Sequence, residues 1–256
     1  MAFFKGDVFS KSMEMHTSLN VVLPQDAKAP AKTLYLLHGL SDNASNWQRM
    51  TSVERYAAAY GVAVVMPEVQ RSFYTDMQYG LSYFTYIADE LPQICRALFR
   101  LSPDRTDNCI AGLSMGGYGA LKIGMSRPER FFACAGFSSV ADIRTCLQRP
   151  EYKTVYRGQI TGVFGPGCTP PDSDDLFAVS AALAKRNPSV FPRIYMTCGR
   201  QDDLYPYNLR LKQHLEALPF HYRYEEWDGG HDWAFWDASL QKALQFFFGD
   251  AGSQEG

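Results

Sequence analysis

The chain predicts an α/β fold, with a mostly parallel central sheet, helices on both faces and one small cap insertion. Three observations point there. Short apolar runs alternate with helix-like stretches along most of the 256 residues. A serine flanked by glycines, Gly112-Leu113-Ser114-Met115-Gly116, stands between a strand-like run and a helix-like run. One long segment, between Ser138 and Arg193, breaks the alternation. Strands of a parallel sheet are covered on both sides and read as unbroken apolar runs, and such runs separated by helices build βαβ units.

In order, Asp7 to Met15 and Leu19 to Leu23 suggest an opening antiparallel hairpin, followed by a polar loop from Pro24 to Lys32. Thr33 to Leu37 is a buried strand ending at His38-Gly39. Trp47 to Tyr60 reads as a helix closed by Gly61, and Val62 to Met66 as a buried strand stopped by Pro67. Arg71 to Gly80 is an aromatic loop, and Tyr83 to Arg100 has helical periodicity. Cys109 to Ala111 is the strand before the glycine-flanked serine, and Gly117 to Met125 the helix after it, stopped by Ser126-Arg127-Pro128. Strands are then expected at Phe132 to Phe137, Arg193 to Cys198 and His221 to Trp227, with a helix from Tyr207 to Leu218 between the last two.

The segment between Ser138 and Arg193 is too long for an ordinary connection of about two to six residues. It contains Phe164-Gly165-Pro166-Gly167, Thr169-Pro170-Pro171-Asp172 and a helix-like stretch from Asp174 to Leu183. A cap-like insertion at about 141–190 within a single domain spanning 1–256 is the expectation. Asp250 to Gly256 read as a frayed polar tail.

Hydrophobic residues are 46% and charged residues 20%, an ordinary globular balance, and the formal net charge of −2 gives no reason to expect nucleic acid or an anionic membrane as partner. No apolar run approaches the ~20 residues of a membrane span. Met1 to Asp7 lack the uninterrupted apolar core of a secretory signal. Cys95, Cys109, Cys134, Cys146, Cys168 and Cys198 form no C-x-x-C pair, so reduced thiols and a cytoplasmic setting are expected.

The chemistry centres on Ser114. A strand turning sharply into a helix at G-x-S-x-G is a nucleophile elbow, which exposes the serine above the sheet at the positive end of the helix. The motif alone also arises by chance, so an acid and a histidine must follow. The loop after the Arg193–Cys198 run carries Asp202 and Asp203, and His231 follows Trp227 after Asp228-Gly229-Gly230. Nucleophile, acid and base in this order match the α/β-hydrolase fold. A serine hydroxyl needs a histidine to take its proton, and the histidine needs an acid to fix its tautomer.

The chain resembles the esterase D-like family of the α/β-hydrolases, with tributyrin esterase and acetyl esterase members the nearest in pattern. The likeness rests on Leu36-Leu37-His38-Gly39-Leu40 with Trp47, Ser72 to Met77 with Gly80, Gly112 to Leu121, Cys198-Gly199 through Asp202 and Leu204-Tyr205 to Asn208, and Gly229 to Trp233. Phe164-Gly165 and Asp174 to Phe177 in the insertion fit it too. It covers nearly the whole chain. In the family pattern the acid follows Cys-Gly-x-x, which selects Asp202; the position of Asp203 is usually apolar, so the paired aspartates depart from it. The resemblance implies an oxyanion hole made by the backbone N–H groups of Leu40 and Met115. His38, at a strand end before Gly39, is expected to brace the oxyanion loop through hydrogen bonds.

The implied activity is that of a serine carboxylesterase acting on short acyl esters, acetyl to butyryl. Ser114 attacks, His231 shuttles the proton and Asp202 orients it, with no metal or organic cofactor. Trp47, Phe73, Tyr74 and Trp233 lie on loops beside the site and are candidates for the pocket. His16, His214 and His221 are expected to be structural. Two other enzyme readings stay open: S-formylglutathione hydrolase, whose members carry a cysteine-containing loop where this chain has Leu40-Ser41-Asp42-Asn43, and an acetyl or feruloyl esterase of plant oligosaccharides. A non-catalytic α/β-hydrolase binding module is the alternative of another class, although such proteins usually lack a triad member. An aromatic-rich surface would favour self-association into a homo-oligomer.

Overall fold

The structure, a computed structural model, describes residues 1–27 and 29–249; the expected tail at 250–256 lies outside them. The described residues form an eight-stranded sheet of order β1-β2-β4-β3-β5-β6-β7-β8, with β1 Ala2–Ser10, β2 Met15–Leu23, β3 Thr33–Leu37, β4 Ala63–Pro67, β5 Asn108–Leu113, β6 Ala133–Phe137, β7 Arg193–Gly199 and β8 Tyr222–Trp227. β2 runs antiparallel to β1 and β4, and every other pair is parallel. This is the α/β-hydrolase fold.

Alternation along β3 shows how the sheet divides the core. Leu34 and Leu36 face one layer with Cys109 and Ala111; Tyr35 and Leu37 face the other with Ile110. The first layer is closed by the helices Val53–Tyr60 and Trp233–Phe248, the second by Leu91–Leu98, Met115–Ser126, Leu176–Leu183 and Tyr205–Glu216. Both faces of β3 to β6 are thus dry, which is why these strands carry no polar alternation. Among the described residues no helix is long and apolar enough to cross a membrane.

Several elements differ from expectation. The opening hairpin starts earlier, pairing Ala2 with Leu23 through Ser10 with Met15. Its turn is set from far along the chain: the Glu90 carboxylate accepts from Lys11 N–H and from the Ser10 and Ser12 hydroxyls. The single helix expected at Trp47–Tyr60 is two, Asn46–Met50 and Val53–Tyr60. Thr51 between them is extended, and its hydroxyl takes the Trp47 carbonyl, competing with the helical ladder. The stretch after Tyr83 contains a π turn, Tyr86–Glu90, just before Pro92, which has no N–H to give the preceding turn.

The insertion holds more helix than expected. Ile143–Cys146, Pro150–Lys153 and Arg157–Phe164 precede Leu176–Leu183, whose start is capped by Asp175 Oδ1 accepting from Phe177 N–H at 3.1 Å. The closing helix Trp233–Phe248 was not anticipated; Asp232 caps it through Phe235 N–H at 3.0 Å. All six cysteines are free, and burial pushes the Cys95, Cys109 and Cys146 thiols up to about 12, so these behave as inert apolar groups.

Candidate active site

Between β5 and the helix Met115–Ser126 the chain reverses within one residue. Ser114 sits there at φ 53°, ψ −116°, a conformation that costs a non-glycine residue on the order of 1–3 kcal/mol. Its surroundings over-determine it: Ser114 N–H donates to Phe137 O at 2.8 Å, and its carbonyl accepts from Tyr118 N–H and Val140 N–H. The glycines are steric requirements. A Cβ on Gly112 would lie 2.5 Å from the Gly116 carbonyl, and one on Gly116 would lie 2.4 Å from Leu37 O. Those neighbours are backbone and cannot step aside.

His231 Nε2 lies 3.0 Å from Ser114 Oγ, and His231 Nδ1 lies 2.9 Å from Asp202 Oδ2. The other Asp202 oxygen accepts from Leu204 N–H at 2.7 Å. With an ionised Asp202, Nδ1 carries the proton and Nε2 is left to accept from the serine. The two loops that carry the acid and the histidine are joined backbone to backbone. Arg200 N–H donates to Trp227 O, Gln201 N–H to Gly229 O, and the Gln201 side chain accepts from Gly229 N–H at 2.6 Å. A Cβ on Gly199 would lie 2.1 Å from Gly229 O, so only glycine permits this approach. Asp203, one residue on from the acid, is exposed, and it is Asp202 that His231 Nδ1 meets.

Burial alone would raise the Asp202 carboxyl. The hydrogen bond and charge of His231 and the Leu204 N–H outweigh it and hold the group below the usual aspartate range. The folded value is therefore below the unfolded one. The contribution to stability is complete above about pH 4, the unfolded aspartate value, and is lost as the pH falls through the folded value. The stability gap between the native chain and Asp202→Asn should accordingly narrow below about pH 4, as read from denaturation midpoints at a series of pH values.

Leu40 and Met115 both border the cleft above Ser114. Met115 begins its helix, so its N–H has no intrahelical acceptor, and the Leu40 N–H meets no acceptor among the described residues. Two free N–H groups beside a serine hydroxyl can receive a negative oxygen. Below Leu40, His38 Nδ1 lies 2.8 Å from Gly39 O and its Nε2 accepts from Val69 N–H at 3.2 Å; Asp42 Oδ2 accepts from Gly39 N–H at 3.2 Å.

The cleft encloses about 620 Å³. Of the four pocket candidates, Trp233 stands on its wall, while Phe73 borders it with a fully buried ring that backs the wall. The other two do not border it. Trp47 is buried beneath it, with Nε1 donating to Leu37 O at 3.0 Å and its ring edge-on to Trp233. Tyr74 is fully buried and its hydroxyl donates to His38 O at 2.8 Å. Each ring has a polar tip that found a backbone acceptor, which draws it into the core. The structure adds residues that sequence reasoning missed: Arg149, Glu151, Tyr152 and Tyr156 from the insertion, and Trp236, edge-on to the His231 ring at 4.9 Å. The spacing of Trp233 and Trp236, one helical turn apart, was the available signal for the last. His16 and His221 pack on Phe9 and Phe246, and His214 Nε2 lies 2.9 Å from Ser180 Oγ, all away from the cleft. Among the described residues no cluster of three or more His, Cys, Asp or Glu side chains could hold a metal ion.

The fold and its relatives define a carboxylic ester hydrolase of the serine-esterase class. The "Putative esterase" family model matches residues 10–247, and the chain belongs to that family. It is 32% identical to an acetyl esterase of Caldicellulosiruptor saccharolyticus over 96% of this chain and 98% of the relative. Among solved structures, the fluorophosphonate-binding serine hydrolase FphF of Staphylococcus aureus superposes with a TM-score of 0.87 at 32% identity, covering 96% of this chain and 98% of that one. The S-formylglutathione hydrolase FrmB of S. aureus superposes at 0.82 with the same identity and coverage.

Proposed function

We propose that the protein hydrolyses short-chain acyl esters through a Ser114–His231–Asp202 triad and an acyl-enzyme. The observation that carries this reading is the unbroken chain of contacts from Ser114 Oγ through the His231 ring to the buried Asp202 carboxylate. His231 Nε2 takes the serine proton as Oγ bonds to the ester carbonyl carbon, and the carbonyl oxygen gains its negative charge against the Leu40 and Met115 N–H groups. The tetrahedral adduct collapses, His231 protonates the departing alcohol oxygen, and the acyl group stays on Ser114. Water repeats the sequence: His231 takes its proton, the acid departs and the proton returns to Oγ. Asp202 holds the ring with Nδ1 protonated and stabilises the imidazolium between the transfers.

The acyl preference follows from the walls. Tyr152 and Trp233 narrow the cleft, and Arg149, Glu151, Asp203 and Asp232 border it. Burying these charges against a long acyl chain is costly, and the relative from C. saccharolyticus is an acetyl esterase. We therefore expect kcat/KM for nitrophenyl esters to peak at acetate to butyrate, to fall through octanoate and palmitate, and to show no jump when the substrate forms micelles. A maximum at octanoate or beyond would make the enzyme a lipase.

The likeness to FrmB supports a second reading, thioester hydrolysis of S-formylglutathione. The cleft argues against it: one cation, Arg149, is paired to Glu151 at 2.6 Å, while Asp42, Asp203 and Asp232 remain to repel a leaving group with two carboxylates. Adding S-formylglutathione to the ester panel separates the two. The insertion acts in this reading as a cap supplying one wall, and the six free thiols support a reducing, cytoplasmic setting.

A further inference from the structure

Lys122 is the one fully buried lysine among the described residues. It lies two turns into the helix that starts after Ser114, on the same face as Met115, Tyr118 and Gly119. Its ammonium uses all three donors: Asp174 Oδ1 at 2.7 Å, Thr75 Oγ1 at 2.8 Å and Phe73 O at 3.4 Å. The Tyr118 and Phe84 rings close around it at 4.9 and 5.5 Å. Burial lowers the lysine pKa and Asp174 opposes this. A charge so placed is costly, and nothing in the triad chemistry uses it.

What the ammonium holds is unusual. Phe73 and Tyr74 are consecutive non-glycine residues with φ 52° each, a strained turn that persists only where its surroundings dictate it. Lys122 takes the Phe73 carbonyl directly and again through the Thr75 hydroxyl, which donates to the same oxygen at 3.1 Å. One residue before Lys122's turn, Gly119 leaves room for the Tyr74 ring; a Cβ there would lie 2.4 Å from it. From this turn the fully buried Phe73 ring backs the cleft wall, packing against Tyr152 at 6.4 Å, and Tyr74 reaches His38 O, next to the Gly39-Leu40 loop. On the far side, Asp174 belongs to the insertion, and its carbonyl accepts from Tyr118 Oη at 2.6 Å.

We propose that Lys122 is a positioning residue, whose contacts to Asp174, Thr75 and Phe73 O lock the strained Phe73–Tyr74 turn and thereby set the acyl wall and the oxyanion loop. The three parts that border the candidate nucleophile, namely its helix, the aromatic loop and the insertion, converge on this one ammonium. Without it the turn relaxes toward ordinary φ, Phe73 no longer supports the wall from behind, and Tyr74 loosens its hold on His38. The inference rests on the Ser114-centred reading of the cleft.

The test uses the full chain and two variants. Lys122→Met/Asp174→Asn removes both charges and leaves no orphan ion. Thr75→Val leaves the ion pair intact and removes only the relay to Phe73 O. We expect the double variant to lose about ten- to a hundredfold in kcat/KM on nitrophenyl acetate, the scale of a misplacement near 1 Å, and Thr75→Val to lose less in the same direction. The loss on octanoate should be smaller, so the octanoate-to-acetate ratio rises by about tenfold as the wall opens. A purely structural ion pair would lower the melting temperature and leave that ratio unchanged. An unchanged ratio in the folded double variant, or in Thr75→Val if the double variant does not fold, overturns the proposal. Ser114→Ala run alongside separates the two readings: turnover surviving in that variant would count against the triad, whatever Lys122 does.

Discussion

Replacing Ser114 with alanine is expected to abolish ester turnover while leaving the fold intact. The hydroxyl is the only group lost. The elbow is held by Ser114 N–H to Phe137 O and by the carbonyl's two donors, all of which alanine keeps. The Cβ is retained, so the strain at φ 53° is neither added nor relieved. Loss of a triad nucleophile costs on the order of 10⁶ in kcat in a serine protease, because the remaining oxyanion donors and binding contacts cannot form the acyl-enzyme. The measurements are kcat for nitrophenyl acetate, labelling by a fluorophosphonate, and the melting temperature. A folded variant that kept more than about one per cent of the activity would place the nucleophile elsewhere.

The second large effect separates two neighbouring aspartates. Asp202→Asn should lower kcat by about 10³–10⁴, because an amide facing His231 Nδ1 can donate to it and favours the tautomer with the proton on Nε2. That tautomer cannot accept from Ser114 Oγ, 3.0 Å away. With the amide nitrogen toward Nδ1 the amide oxygen faces Leu204 N–H, so that bond keeps an acceptor but loses its ionic charge. Asp203→Asn should cost less than about tenfold, since Asp203 is exposed at the cleft edge while the imidazole pairs with Asp202. Single-turnover and steady-state rates on one ester would show it. A larger effect at Asp203 than at Asp202 would move the acid by one residue and contradict the hydrogen-bond geometry.

The elements read best from the sequence were those whose environment is uniform along their length. β3 to β7 are buried on both faces, so their apolar runs were plain, and their ends fell within a few residues of expectation. The misread elements turn on individual contacts, several of them to partners remote in the chain. The start of β1 and its turn are set by Glu90, some eighty residues on, and no local pattern carries that. The break at Thr51 turns on which carbonyl a single hydroxyl selects. The insertion was visible as an interruption, while its helices are short and held by contacts such as Arg144 with Asp172 and Asp175.

The candidate site divides in the same way. Gly112, Ser114 and Gly116, an acid after β7 and a histidine after β8 were all legible, because an elbow admits few residues and the chemistry admits fewer. The choice between Asp202 and Asp203 was not legible from spacing and came from family resemblance. The distances now tie His231 to Asp202, through loops docked at Gly199 and Gly229.

By itself, then, the sequence determined the alternation that makes a parallel sheet, the turn that must hold a serine, and the order of the ionisable groups after it. These are local properties: periodicity, backbone sterics and residue chemistry. The tertiary structure alone decided which rings border the cleft and which brace the fold. Trp47 and Tyr74 look like pocket residues in sequence, yet each indole or phenol tip met a buried carbonyl, Leu37 O and His38 O, and the ring followed it inward. It also decided that Lys122, an ordinary helix lysine in the sequence, lies wholly out of water beside Asp174. Hydrogen-bond acceptors and ion partners tens of residues away settle such choices, and their positions exist only once the chain has folded.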